Sequence, residues 1–115
     1  GIAPAQVGTE GLELLGLSEM TRQQGATELD RRVILYTAQS ADGMPGRMRL
    51  QVNWHGSDGQ FISTQIEIVE VGLEPRTYPL LAVAPTGATQ AYVYATLPDD
   101  HSGRVLLRSI TVAGP

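Results

Sequence analysis

The stretch Arg49–Ile62 does most to limit what this chain can become. Leu50, Val52 and Trp54 alternate with Gln51, Asn53 and His55, the period of a half-buried β-strand. Ser57-Asp58-Gly59 follows at once. Asp bonds locally to backbone and Gly takes the positive φ that other residues avoid, so the segment reads as strand, tight turn, strand. In the return arm Ile62, Thr64, Ile66 and Ile68 are in phase, and Val69 and Val71 are out of it. A one-residue slip of that kind predicts a β-bulge inside the strand.

The rest of the chain repeats the pattern. Residues 1–10 hold Pro4 and small side chains and read as a linker or N-terminal extension, with one domain over residues 11–115. Leu12–Leu17 suits a short strand. Ser18–Glu28 is polar and reads as a loop, with no sustained 3.6-residue pattern. Strands are expected at Arg31–Ala38, at Thr77–Val83, at Thr89–Leu97 and at Arg104–Val112. Pro79 cannot donate to a ladder and puts its strand at an edge. Asp42-Gly43, Pro45-Gly46, the turn around Pro75 and Pro85-Thr86-Gly87 separate these segments. Short strands with turns between them and no sustained helix make the chain all-β, an antiparallel β-sandwich or barrel.

Composition excludes several function classes. The eight basic residues are all Arg, scattered along a chain of net charge −4, so no phosphate-tracking stripe forms. Nucleic acid and anionic membrane are not expected partners. Without Cys there are no disulfides, thiolate metal sites or Cys nucleophile. No apolar run approaches the roughly 18 residues of a membrane span. Asp99-Asp100-His101-Ser102 packs acid, imidazole and hydroxyl into one loop. Consecutive residues cannot converge on one carbonyl as a triad must, and they supply too few ligands for a metal. The expectation there is a solvated hairpin tip, with no catalytic residue, metal or cofactor.

From about Leu29 to Val112 the chain resembles the jelly-roll carbohydrate-binding modules of the xylan- and cellulose-binding kind. Leu50-Gln51-Val52-Asn53-Trp54 with Ser57-Asp58-Gly59 resembles the family's strand ending in Trp and its Asp-Gly turn. Ala84-Pro85-Thr86-Gly87-Ala88 leading into Tyr92-Val93-Tyr94 resembles its turn into the penultimate strand. Gly103–Val112 sits where the closing strand would be. The resemblance implies a sandwich of jelly-roll type and a non-catalytic glycan-binding role. The family's first strand is not recognisable, which leaves an edge where a neighbouring domain or subunit could pack. A calcium-holding Asp of the last strand is replaced by Arg108, and a guanidinium cannot ligate a cation.

The candidate ligand-binding residues follow from strand parity. Tyr92 and Tyr94 lie two apart on one face, about 7 Å along the strand, with Gln90 and Thr96 beside them. Ala91, Val93 and Ala95 occupy the opposite, core-facing side. An aromatic pair flanked by hydrogen-bonding groups suits a glycan groove, where sugar C–H groups pack on the rings. Gln51, Asn53 and His55 form a polar row that would read hydroxyls if it shares the Tyr face. Trp54 has two readings: a sugar platform, or core with Leu50 and Val52. The expected function is an accessory module of a larger extracellular or surface protein (secreted, periplasmic or virion) binding poly- or oligosaccharide. The alternative is an assembly domain of the same fold that contacts protein and no sugar.

Overall fold

In a computed structural model, residues 6–8, 11–14, 22–98 and 104–114 are described. The strand–turn–strand segment is the middle of the architecture. Strand β5 (Gly46–His55) and strand β6 (Phe61–Val71) pair antiparallel around Gly56–Gln60. Gly59 takes φ +83°, and Gln60 N–H donates to Asp58 Oδ1 at 3.2 Å, the turn chemistry the sequence carries.

The remaining strands nest outward from that hairpin. Strand β4 (Arg32–Ser40) pairs with β7 (Arg76–Ala82), β3 (Arg22–Gly25) with β8 (Gln90–Thr96), and β2 (Gly11–Leu14) with β9 (Val105–Ala113). The chain is thus one long two-stranded ribbon. Rolling it up brings β4 beside β9 and β5 beside β8. With β1 (Gln6–Gly8), two sheets result, in the orders β1-β2-β9-β4-β7 and β3-β8-β5-β6. That is the strand order of a jelly roll, so the chain is an antiparallel β-sandwich of jelly-roll type.

The core fills from alternate residues of both sheets. Ile34, Tyr36, Leu80, Val105 and Leu107 come from one, and Met48, Leu50, Val52, Trp54 and Val93 from the other. Strand β8 contributes only Ala91, Val93 and Ala95, and this small surface leaves room for Tyr36 to span the sandwich. Its hydroxyl donates to the Tyr94 carbonyl at 3.1 Å. Burial pushes the Tyr36 phenol well above its ordinary value, which keeps the donor protonated.

Several expectations need correcting. Part of the expected linker, Gln6–Gly8, is a strand paired with Gly11–Leu14. The edge left by the unrecognised first strand is occupied, because β2 lies against β9. The expected loop at Ser18–Glu28 contains β3 and the start of a single helical turn, α1 (Ala26–Leu29). Arg22-Gln23-Gln24-Gly25 has no apolar alternation, and its ladder with β8 makes it a strand. Ala26 N–H donates to the Thr89 carbonyl at 3.0 Å, and buried Leu29 anchors the turn. The bulge expected near Ile68 and Val69 is absent: Arg49↔Ile68 and Met48↔Val69 pair in unbroken register. The bulge sits at the other end, where Trp54 faces Ser63 and His55 faces Phe61.

The cause lies at the open side of the sandwich. Strand β6 is an edge strand, and its core-facing phase carries Ser63, Gln65 and Glu67 before Val69 and Val71. Gln65 does there what an aliphatic residue would do elsewhere. Its Oε1 accepts from Trp54 Nε1 at 2.9 Å and from Val83 N–H at 2.9 Å, and its Nε2 donates to the Leu81 carbonyl at 2.8 Å. Tyr78 adds a second tie, its hydroxyl donating to the Glu70 carbonyl at 2.8 Å. Ile66 and Ile68 of β6 therefore face outward.

Candidate functional site

The outer face of the β3-β8-β5-β6 sheet brings together all the candidate residues but one. Tyr94 pairs across the strands with Gln51, Tyr92 with Asn53, and Gln90 with His55. Paired residues share a face, so the tyrosines and the polar row form one surface, two residues wide over three successive rows. Tyr92, Tyr94, Gln51, Asn53, His55 and Gln90 are all half-buried. The seventh candidate, Trp54, is fully buried, with Leu50 and Val52 on the inner face and its N–H held by Gln65. It is core and offers no platform. Parity on one strand already opposed Trp54 to the polar row; the pairing of β5 with β8 decides which side is outside.

The side chains on this surface orient one another. Gln51 Nε2 donates to Asn53 Oδ1 at 2.9 Å, and Thr64 Oγ1 donates to the same oxygen at 2.7 Å. Among the described residues this leaves Gln51 Oε1 and Asn53 Nδ2 without a protein partner, one acceptor and one donor on the face. His55 Nδ1 lies 2.9 Å from the Gly59 carbonyl, which can only accept, so Nδ1 carries the proton. In the neutral ring Nε2 is then an acceptor. The imidazole stands edge-on to Tyr92 at 4.9 Å and to Phe61 at 5.8 Å between ring centroids. Phe61, His55 and Tyr92 thus run as an aromatic lane from the edge strand into the sheet, and the bulge beside Phe61 sets it there.

The structure adds residues that sequence reasoning missed. Ile66 pairs with Gln51 and Ile68 with Arg49, and both isoleucines are exposed, at 50% and 46%. Phe61 is 56% exposed. Phase along the strand groups Ile66 with Ile68 but does not say which phase is wet; the pairing with Gln51 and Arg49 does. One row beyond Tyr94 and Gln51, Arg49 pairs with Thr96. Both carry a buried polar atom without a hydrogen-bond partner, Arg49 Nε and Thr96 Oγ1. No sequence signal marks this pair, because only the register opposes them.

No cluster of three His, Asp or Glu side chains able to hold a metal occurs among the described residues. The loop Asp99-Asp100-His101-Ser102 lies outside the described residues. Comparison of the chain with known protein families, with characterised proteins and with solved structures finds no match in any of the three.

Proposed function

We propose that this domain binds carbohydrate, without catalysis, on the outer face of the β3-β8-β5-β6 sheet. One observation carries the reading: Tyr92 and Tyr94 stand in register with Asn53 and Gln51, so stacking surfaces and hydroxyl-reading amides share one surface. Sugar rings present apolar C–H faces and equatorial hydroxyls together, and this mixture answers both. The resemblance of the flanking motifs to jelly-roll carbohydrate-binding modules supports the same reading. A polysaccharide ligand would make the domain an accessory module of a secreted or surface-borne protein. Affinity is expected to be modest, since an open face exchanges well-hydrated hydroxyls for protein bonds at small net gain.

A glycan array on the folded domain, run beside Tyr92→Ala/Tyr94→Ala, tests this. At about 1–1.5 kcal/mol per ring, the double variant loses roughly 30- to 150-fold in affinity. Binding unchanged in the variant, or no glycan bound by the folded parent, overturns the reading. An assembly role is the second reading. It is favoured by the exposed Ile66, Ile68 and Phe61 on the long edge strand β6, a surface that a protein partner could cover.

A further inference from the structure

We infer that Arg49 and Thr96 form an anion subsite at one end of this face, so that the glycan bound is an acidic one bearing a carboxylate or sulfate substituent. The inference rests on the glycan reading above. Arg49 is half-buried, its Nε is buried without a hydrogen-bond partner, and among the described residues its side chain makes no hydrogen bond or ion pair. Its cross-strand neighbours are Ile68 on one side and Thr96 on the other, neither of them acidic. Thr96 is only 7% exposed, and its hydroxyl is likewise unpartnered. A polar atom buried without a partner loses its hydration for nothing, and an unpaired cation loses more. The chain has 12 acidic residues against eight basic ones, so carboxylates to neutralise Arg49 were plentiful. Among the described residues the ladder sets none of them directly opposite it.

The position says what the ligand would be. Arg49 and Thr96 are one row from Gln51 and Tyr94, about 7 Å along the strands, within reach of a substituent on a sugar stacked at Tyr94. Arg47 lies one row further on the same face, opposite Glu70, so the subsite rests on Arg49 and Thr96. A guanidinium with an adjacent hydroxyl donates several directed bonds to one carboxylate or sulfate group. A neutral polysaccharide would leave these donors unused.

Calorimetric titration of the intact chain tests the subsite. The probes are oligogalacturonate, a sulfated dextran oligomer, neutral xylo- and cello-oligosaccharides, and a poly-glutamate peptide. The expected result is that at least one acidic glycan binds about tenfold or more tighter than the neutral ones at low salt. That advantage should shrink at high salt and vanish in Arg49→Gln. Thr96→Val, close in shape, should lose part of it. The uronate and sulfate arms identify the substituent. Arg49→Gln removes a cation whose side chain has no partner among the described residues, so it should melt no lower than the parent. Neutral and acidic glycans bound equally, with Arg49→Gln unchanged, would overturn the subsite and leave the glycan reading standing. No carbohydrate bound by the folded parent would overturn both. Poly-glutamate bound as tightly as the acidic glycan, with the same dependence on Arg49, would reassign the face to acidic peptides and overturn the inference.

Discussion

Replacing Gln65 with Leu should cost about 2–3 kcal/mol of stability, and most of that cost should depend on Trp54. Gln65 makes three bonds, to Trp54 Nε1, Val83 N–H and the Leu81 carbonyl. They are not equal. Val83 is exposed and the Leu81 carbonyl lies on the edge strand β7, so water can replace the amide there at about 0.5 kcal/mol each. The Trp54 side chain is fully buried, and its N–H would keep no partner, a penalty of about 1–3 kcal/mol. Extra apolar burial by Leu offsets a fraction of this on a half-buried site. Trp54→Phe removes the stranded donor, so a double-mutant cycle isolates the term. Urea denaturation followed by circular dichroism should give a coupling energy of about 1–2 kcal/mol, with an unchanged m-value. Gln65→Glu keeps the acceptor for Trp54 and should cost less than Gln65→Leu. Additive single variants, within about 0.5 kcal/mol, would refute the claim that Gln65 closes the open side of the sandwich by satisfying Trp54.

Other outcomes follow from the same structure. Tyr36→Phe removes the donor to the Tyr94 carbonyl and should cost about 1 kcal/mol in denaturant titrations. The Tyr36 phenol is raised in the folded state above its ordinary 10.0, so its contribution is complete below pH 10.0 and is lost as pH rises above it; alkaline unfolding should be shallower in Tyr36→Phe. Gly59→Ala meets no atom within 4 Å, so its cost of about 1 kcal/mol should be backbone strain alone at φ +83°, read from thermal melts. Ile66→Ser/Ile68→Ser should leave stability within about 1 kcal/mol and the sedimentation coefficient unchanged. A parent that self-associates and is split by this variant would support the assembly reading instead.

Much of the fold was legible in sequence because one face of most strands is dry and the other wet. Strands β4, β5, β8 and much of β9 alternate cleanly, and Pro79 marked β7 as an edge. Strand β6 misled because an edge strand over the open side of a sandwich can be polar inside and apolar outside. Gln65 and Ile66 reverse the usual pattern there, and local phase cannot show it. Strand β3 was invisible for a related reason: Arg22-Gln23-Gln24-Gly25 owes its conformation to β8, about 70 residues away in sequence. The candidate surface was legible in halves. Parity grouped Tyr92 with Tyr94 and Gln51 with Asn53, and the rolled ribbon joined the two groups. Trp54 was undecided from its strand alone, and its partner Gln65 settles it as core. Arg49 and Thr96 gain meaning only from register, which no local pattern encodes.

The measurement that bears most directly on a carbohydrate-binding face is a nuclear magnetic resonance titration of the labelled domain with cell-wall oligosaccharides, neutral and acidic. Shifts are expected in the side-chain amides of Gln51 and Asn53 and in the rings of Tyr92, Tyr94 and His55, with the Trp54 indole N–H unmoved. Shifts confined to the outer face of the other sheet, at Val33, Leu35, Thr37 and Leu81, or no shifts at all with the domain folded, would contradict it.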